Sequence, residues 1–262
     1  MDLNTVLEVC DARHHRNWQV GDAWLGGGTY LFSEPQPHVR RLVDLSRTGW
    51  TPLRRLPDGG LEIAATCTVA QLFRGTDRPL FREGCHAFLA SFKIWNMATV
   101  GGNLCNSLPA GPLISLTAAL DGVCLLRSRS GAERRLPVAD FVTGAGANAL
   151  RPGELLRSVT LPAAALARRT AFRQASLYGL GRSGALIIGT ADSRGALRLT
   201  ITASTTRPFR VYFPQPPTRN GLAAAIERTV PGDAWFDDIH GLPEWRRHMT
   251  FRLAEEIREE LA

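Results

Sequence analysis

Residues 24–29 read WLGGGT and residues 98–106 read ATVGGNLCN, and these two glycine-rich segments decide the fold prediction. Consecutive glycines lack a Cβ atom and reach positive φ, so their N–H groups can converge on one anion, most often a phosphate. Thr29 and Thr99 add hydroxyl donors, and Asn103 adds an amide donor. Each segment alone is more often a plain tight turn. Together, two such turns predict a clamp on a pyrophosphate.

Known phosphate motifs do not describe these segments. Neither contains the GxGxxG fingerprint or the GxxxxGK[ST] loop. No lysine follows the glycines to reach a β- or γ-phosphate, which argues against ATP hydrolysis.

The composition is that of an ordinary globular protein. The chain has 262 residues, 44% hydrophobic and 21% charged. Apolar residues are spread throughout, which excludes disorder as the dominant state, and no apolar run approaches the ~18 residues that span a bilayer. The N-terminus lacks the basic and apolar regions of a secretory signal. We therefore expect a cytoplasmic protein that has no membrane partner.

The charge pattern argues against a nucleic-acid partner. The formal net charge is +7, from 31 Lys and Arg against 24 Asp and Glu. However, the arginines form no long run and do not alternate with aromatic residues, as they would on a single-strand binding surface.

Cysteine and histidine spacing indicates neither a metal site nor a catalytic residue. The five cysteines lie far apart, without a CxxC pair or a Cys/His cluster of zinc or iron–sulfur spacing. The chain is therefore not expected to hold a ferredoxin-type cluster by itself. The six histidines form no recognisable triad with a nucleophile.

Hydrophobic periodicity and turn residues predict a mixture of helices and strands. Strands are predicted at residues 22–25, 39–45, 61–66, 123–126, 155–161, 185–188 and 197–203. Helices are predicted at residues 1–22, after Thr68 as an N-cap, at 88–97 as helix or turn, at 113–120, and at 243–261.

Several blocks, in order along the chain, resemble the FAD-binding (medium) subunits of molybdenum hydroxylases, which include bacterial xanthine dehydrogenase, carbon monoxide dehydrogenase and aldehyde oxidoreductases. The similar blocks are residues 24–29, 42–46, 61–68, 98–106, 109–110, 120–121, 152–156, 170–176 and 244–248. The resemblance implies an α+β fold. The expected first domain, at 1–165, is a two-lobed FAD-binding domain of the vanillyl-alcohol-oxidase-like (PCMH) type, with lobes at about 1–58 and 59–165. A small α+β C-terminal domain would follow at 166–262.

The resemblance also implies FAD as cofactor and indicates which residues bind it. They are Leu25, Gly26, Gly27, Gly28, Thr29, Tyr30, Thr99, Gly101, Gly102, Asn103, Leu156 and Arg173. The first glycine segment would bind the pyrophosphate, with Leu25 and Tyr30 flanking it, and the second would close over the other side of the diphosphate and the adjoining sugar chain. Leu156 would contact the edge of the flavin. Arg173 stands where relatives often carry a lysine, and its charge would favour the anionic reduced flavin.

Three residues depart from the family pattern. Pro112 stands at the position of an Asp that contacts the flavin, Tyr30 at a position that is usually small and polar, and Trp95 where an Arg is common. As a test of the site, Gly27→Val is predicted to place a side chain where the diphosphate would lie.

The implied function is that of an electron-transfer subunit. It would pass electrons from a [2Fe–2S] small subunit through FAD to NAD, oxygen or a quinone, in a complex with a molybdopterin-binding large subunit. Alternatives are a non-catalytic scaffold subunit with weakened or lost FAD binding, a free-standing flavin oxidoreductase, or a nucleotide-binding regulatory module.

Overall fold

The first sheet of the protein is small and parallel. A computed structural model describes residues 3–15 and 17–262. Strands β1 (Glu8–Asp11), β2 (Asp22–Leu25) and β3 (Arg41–Asp44) pair in the order β1-β3-β2. β2 and β3 match the strand predictions. The helix predicted over 1–22 is wrong where the structure describes it, because residues 8–11 pair with β3 and Val9 on the supposed apolar face is 61% exposed. Residues 1, 2 and 16 of that range lie outside the described residues.

The second sheet is antiparallel, in the order β4-β5-β10-β6-β7. Its strands, with the small β8–β9 hairpin that precedes β10 in the chain, are β4 (Leu53–Arg55), β5 (Leu61–Ala64), β6 (Val123–Arg127), β7 (Glu133–Pro137), β8 (Val142–Gly144), β9 (Ala147–Asn148) and β10 (Leu155–Leu161). The strands predicted at 61–66, 123–126 and 155–161 are confirmed. β4 pairs with β5, although it precedes the lobe boundary expected near residue 58.

The helices between residues 65 and 168 share a core with this sheet. They are α1 (Val69–Gly75), α2 (Pro79–His86), α3 (Phe92–Met97), α4 (Val100–Asn106), α5 (Pro112–Ala119), α6 (Val138–Phe141) and α7 (Ala163–Leu166). Of these, α4 and α6 contact the strands of the sheet directly. Thr68 is the N-cap of α1, as predicted, and forms a capping box with Gln71. Every residue of α5 is buried. This helix therefore lies at the centre of the molecule.

The third sheet and the last helices form the C-terminal part. Strands β11 (Arg169–Ala175), β12 (Ala185–Ala191), β13 (Leu197–Thr202) and β14 (Phe209–Phe213) are antiparallel in sequence order. They are followed by α8 (Arg219–Thr229), a 3₁₀ turn (Gly232–Ala234) and α9 (Pro243–Leu261). The strands predicted at 185–188 and 197–203 and the final helix are confirmed, and the two strands pair as a hairpin. β12 is buried along its whole length because α5 and α9 both pack against it.

Two hydrophobic cores result from this arrangement. The larger one lies around the second sheet and its helices, and it also includes Leu186, Ile188 and Ala203 of the C-terminal part. The smaller one lies between the third sheet and helices α8 and α9. Domain limits at 165 and 58 remain predictions. In the part of the chain that the structure describes, no helix is long and apolar enough to cross a membrane.

Candidate binding cleft

The first glycine segment leaves a row of backbone donors unused. Residues 26–31 follow β2 directly, and none of their N–H groups donates to another described residue. The Phe32 N–H donates to the Gly28 carbonyl at 2.8 Å, so residues 28–32 form one helix-like turn. Gly28 has φ +71°, a conformation that side chains rarely adopt. These N–H groups therefore have no partner among the described residues, and an anion site at this segment stays a prediction.

The second glycine segment is not a turn, and this prediction is wrong. It begins α4, with Thr99 as the N-cap. The Gly102 N–H donates to Thr99 Oγ1 at 3.0 Å. The N–H groups of Val100 and Gly101 donate to the Cys67 and Ala65 carbonyls, both at 2.8 Å. Because helix capping and the segment between β5 and α1 already use these donors, they do not converge on an anion.

The two segments nevertheless face each other across a cavity of about 170 Å³, here called the glycine cavity. It is lined by residues 24–31 from one side and by Ala98, Thr99, Gly102, Asn103, Cys105 and Asn106 of the other, with Phe88. A Cβ atom on Gly26 would lie 3.1 Å from Thr99 Oγ1, and one on Gly102 would lie 3.0 Å from the same oxygen. Thr99 Oγ1 thus lies between these two glycines.

Helix α1 shows why the glycine at 102 matters. In α1, the N-cap Thr68 is followed three residues later by Gln71, whose side chain completes the cap. In α4, Thr99 and Gly102 occupy the same two positions. The helix geometry therefore tolerates a side chain at position 102. The glycine there keeps the cavity open instead.

Other glycines in the two segments serve packing. A Cβ on Gly27 would overlap the Met97 carbonyl oxygen, and a Cβ on Gly101 would overlap Ala65. Gly27→Val would therefore disturb the contact between the segments, contrary to the prediction that its side chain would enter a diphosphate position. Gly101 lies behind the wall of the glycine cavity.

A second, larger cavity of about 360 Å³, here called the adjoining cavity, continues from the first. Both share Thr29, Tyr30, Phe88, Asn103 and Asn106. Leu89 and Ile94 of the second lobe line one part, and Leu180 and Arg182 of the β11–β12 loop line another. Sequence analysis missed these four residues, because the segments that carry them are distant in the chain.

Asn103 lies where the two cavities meet. Its side-chain oxygen accepts a hydrogen bond from the Leu113 N–H at 3.2 Å, at the first turn of α5. This bond fixes the amide group, and the Nδ2 donor remains for a ligand.

Two predicted site residues do not reach either cavity. Leu156 lies in β10 and is 2% exposed, within the larger core. Arg173 of β11 forms ion pairs with Glu256 at 3.2 Å and Glu260 at 2.6 Å, both on α9. The structure therefore places the Arg173 charge against the last helix.

The departures from the family pattern have structural explanations. Pro112 is the first residue of α5 and lines the adjoining cavity, a position where its missing N–H costs nothing. Tyr30 is 38% exposed and borders both cavities. Trp95 packs against Phe73 and His86, with ring centroids 5.2 and 5.6 Å apart, and lines neither cavity.

Trp24 closes one end of the glycine cavity. Its Nε1 donates to the Glu154 carbonyl at 2.9 Å, and its ring centroid lies 4.6 Å from that of Trp18. Since Trp24 belongs to the first sheet and Glu154 directly precedes β10, this bond joins the first sheet to the second.

Titratable groups give the cleft little chemistry of its own. Burial raises the pKa of the Cys105 thiol, which lines the glycine cavity, to about 12, so the thiol stays protonated. Arg182 is the one charged residue among the described residues that line the two cavities. No group of three metal-ligating side chains occurs in the described part of the chain. The cleft is therefore suited to binding.

A Cys–His–Asp arrangement outside the cleft was missed by sequence reasoning. Cys10 Sγ lies 3.6 Å from His15 Nδ1, and His15 Nε2 lies 3.2 Å from Asp22 Oδ2. Burial raises the pKa of the Cys10 thiol, which disfavours the nucleophilic thiolate.

Comparison with known proteins identifies the family. Residues 4–164 match the family described as FAD binding domain in molybdopterin dehydrogenase. The 6-hydroxypseudooxynicotine dehydrogenase complex subunit alpha of Paenarthrobacter nicotinovorans is 26% identical over 231 residues, covering 82% of this chain and 77% of that protein. The nicotinate dehydrogenase FAD-subunit of Eubacterium barkeri is 27% identical over 207 residues, covering 74% and 67%.

Solved structures share the fold. Reconstituted CO dehydrogenase from Oligotropha carboxidovorans superposes with a TM-score of 0.81 at 21% identity, over 100% of both chains. Quinoline 2-oxidoreductase from Pseudomonas putida 86 has a TM-score of 0.79 at 18% identity, over 100% of this chain and 98% of that one. The resemblance seen in the sequence is confirmed: this chain belongs to the family of FAD-binding domains of molybdopterin dehydrogenases, and it is an oxidoreductase flavoprotein subunit whose cofactor is FAD.

Proposed function

We propose that this subunit passes electrons from a [2Fe–2S] partner subunit through FAD to a terminal acceptor, within a complex that also contains a molybdopterin subunit. Relatives whose names mark them as a complex subunit and as an FAD-subunit support a role within a multi-subunit dehydrogenase. The acceptor can be NAD, oxygen or a quinone, and cytoplasmic residence remains a prediction.

The observation that carries the proposal is the row of unused N–H groups at residues 26–31, facing Gly102 across the glycine cavity. Backbone donors at the start of a helical turn suit the FAD diphosphate. In our proposal, Gly26, Gly27, Gly28 and Thr29 donate to it, and Leu25 and Tyr30 flank it. Gly102 leaves room on the opposite side, where the Thr99 hydroxyl proton and Asn103 Nδ2 reach the cofactor.

The adjoining cavity suits the flavin ring. Its walls combine the apolar residues Phe88, Leu89, Ile94 and Leu180 with polar side chains that include Ser33, Asn103 and Asn106. Bound FAD supplies the chemistry of accepting electrons singly and releasing them in pairs. The chain contributes binding, orientation and exclusion of water. In this arrangement, Leu156 and Gly101 support the walls from behind, as their burial indicates.

The proposal also includes the PCMH-type, two-lobed architecture. Its support is the position of the cleft, between the first sheet on one side and helices α3 and α4 on the other. The Trp24–Glu154 hydrogen bond joins the same two lobes.

Titration of the purified chain with FAD tests the binding step. Quenching of flavin fluorescence and a shifted absorption spectrum are expected on binding. A folded chain that takes up no FAD would instead support the scaffold alternative. A flavin-loaded chain that is reduced by substrate without partner subunits would support the free-standing oxidoreductase. Reduction only after iron–sulfur and molybdopterin subunits are added is the outcome expected from our proposal.

A further inference from the structure

Among the described residues, one charged side chain lines the cleft, and the diphosphate site proposed above does not include it. Arg182 lines the adjoining cavity and is exposed. It forms no ion pair with any described residue. The other residues that line the two cavities are uncharged. A cation without an ion-pair partner among the described residues thus lines a cavity whose other walls are apolar or neutral polar residues.

Arg173 does not compensate for this charge pattern. Its Nε and Nη2 atoms pair with Glu256 and Glu260, and its Nη1 donates to the Phe172 carbonyl at 2.9 Å. With two carboxylates beside it, the Arg173 guanidinium contributes little net positive charge elsewhere.

The backbone next to Arg182 is firmly held. Ser183 is 3% exposed, and the Gly184 N–H donates to the Ala175 carbonyl at 2.8 Å. The Gly184 carbonyl accepts a hydrogen bond from Arg246 Nη1 at 2.9 Å. Although Leu180 is 89% exposed, the end of the loop that carries Arg182 is therefore anchored to the C-terminal core.

We propose that Arg182 supplies the positive charge that faces the flavin end of FAD and stabilises the negative charge that the flavin gains on reduction. This inference rests on the proposed function. The oxidised ring system is neutral, and uptake of two electrons and one proton gives the reduced ring system one negative charge. A cation beside the adjoining cavity stabilises that form more than the oxidised form. The diphosphate, in contrast, lies against the amides of the glycine cavity.

The test compares Arg182→Gln with three other variants. Arg182→Lys keeps the charge. Arg194→Gln removes an exposed arginine from the turn at the opposite end of β12. Arg173→Gln tests the position that the resemblance indicates. For each FAD-loaded chain, the affinity for oxidised FAD is measured by fluorescence, and the flavin midpoint potential by equilibration with reference dyes during reductive titration.

We expect Arg182→Gln to weaken binding of reduced relative to oxidised FAD roughly tenfold, which lowers the two-electron midpoint potential by about 30 mV. Arg182→Lys should retain most of the wild-type potential, and Arg194→Gln and Arg173→Gln should match the wild type. An unchanged potential in Arg182→Gln would overturn the inference. So would weaker binding of oxidised FAD at an unchanged potential, because Arg182 would then contact the diphosphate. A wild-type chain that binds no FAD would refute the proposed function itself, whereas FAD binding without an Arg182 effect refutes only this inference.

Discussion

The glycines of the two segments have different structural roles, although they form similar runs in the sequence. Gly27 and Gly101 allow backbone segments to approach, and Gly28 adopts a positive φ. Gly26 and Gly102 meet only Thr99 Oγ1, and both line the glycine cavity. Variants at the first group report on packing, and variants at the second group report on the cleft.

Gly102→Val is therefore a more specific test of the cofactor site than Gly27→Val. The corresponding position of α1 carries Gln71, so α4 should form with a side chain there. We expect the FAD dissociation constant to rise at least about tenfold, equivalent to ~1.4 kcal/mol, with little change in the urea midpoint. Gly232→Val is the control, since a Cβ there meets nothing within 4 Å. Wild-type FAD affinity in folded Gly102→Val would show that the cofactor does not occupy the glycine cavity.

Thr99 caps helix α4 and also lines the glycine cavity. Thr99 and the N-cap of α1, Thr68, form an isolated antiparallel bridge, so the two helices begin side by side. Only Thr99 lines the glycine cavity. Comparing variants of Thr68 and Thr99 therefore distinguishes the effect of helix capping from the effect of ligand binding.

Removing each cap hydroxyl should separate these roles. Thr68→Ala and Thr99→Ala each lose a side-chain acceptor for a helix N–H, and each should lower the free energy of unfolding by about 1 kcal/mol. Thr99→Ala should in addition weaken FAD binding roughly fivefold, because it removes a hydroxyl donor. Urea unfolding and fluorescence titration measure the two effects. Equal FAD affinity in both variants would mean that the Thr99 hydroxyl does not touch the cofactor.

Arg134 of β7 forms an ion pair with Glu154, which directly precedes β10 and is 7% exposed. Hydrogen bonds from Arg134 hold the pKa of Glu154 at about 2, below its usual 4.5, and Glu154 also accepts from the Arg151 N–H at 2.8 Å. The carbonyl of the same residue accepts the Trp24 hydrogen bond. The ionised carboxylate therefore supports the cleft wall.

Acid should weaken this ion pair. Because the pKa of Glu154 is lower in the folded chain, the stabilisation is fully present above about pH 4.5 and is lost as pH falls towards 2. The urea midpoint should decline through this window in the wild type. Arg134→Gln should show a lower midpoint at neutral pH and a shallower decline, whereas Arg135→Gln, on the exposed side of the same strand, should follow the wild type. Parallel pH profiles in wild type and Arg134→Gln would contradict this account.

At the scale of the whole molecule, the C-terminal sheet is held to the rest of the chain through α5 and the residues that precede it. Ser115 and Thr202 hydroxyls lie 2.6 Å apart, and the Ala203 N–H donates to the Pro109 carbonyl at 2.9 Å. Arg246, which is 1% exposed, pairs with Asp238 and donates to the carbonyls of Ala203, Gly184 and Gly241. One buried guanidinium thus connects the end of the β11–β12 loop, which lines the adjoining cavity, to the end of β13 and to the segment before α9.

Arg246→Met should be strongly destabilising. It leaves Asp238 and three carbonyls without their donor, which costs about 3 kcal/mol or more. Its neighbour Arg247 pairs with Glu227 at the surface, where the two side chains are 49% and 56% exposed, so Arg247→Met should cost less than about 1 kcal/mol. Thermal and urea midpoints compare the two variants. Similar small shifts in both would show that Arg246 is not a structural centre.

The amino-acid sequence by itself determined the family, the FAD cofactor, most strands, the N-cap at Thr68 and the last helix. The family and the cofactor follow from the resemblance of several sequence blocks to a known family. The strands, the N-cap and the helix follow from local patterns, namely turn residues, capping residues and hydrophobic periodicity. The helix expected over 1–22 was wrong because pairing with β3 outweighs the local spacing of apolar residues.

Only the tertiary structure decided which donors and charges face the cleft. The segment at 99–103 resembles the one at 26–31 in sequence, but the carbonyls of Ala65 and Cys67, which follow β5, accept hydrogen bonds from two of its N–H groups. Likewise, α9 neutralises Arg173 while the β11–β12 loop brings Arg182 to the adjoining cavity. A group that already forms a hydrogen bond or ion pair within the protein is less able to bind a ligand. Which group it pairs with depends on packing between segments that are distant in the chain.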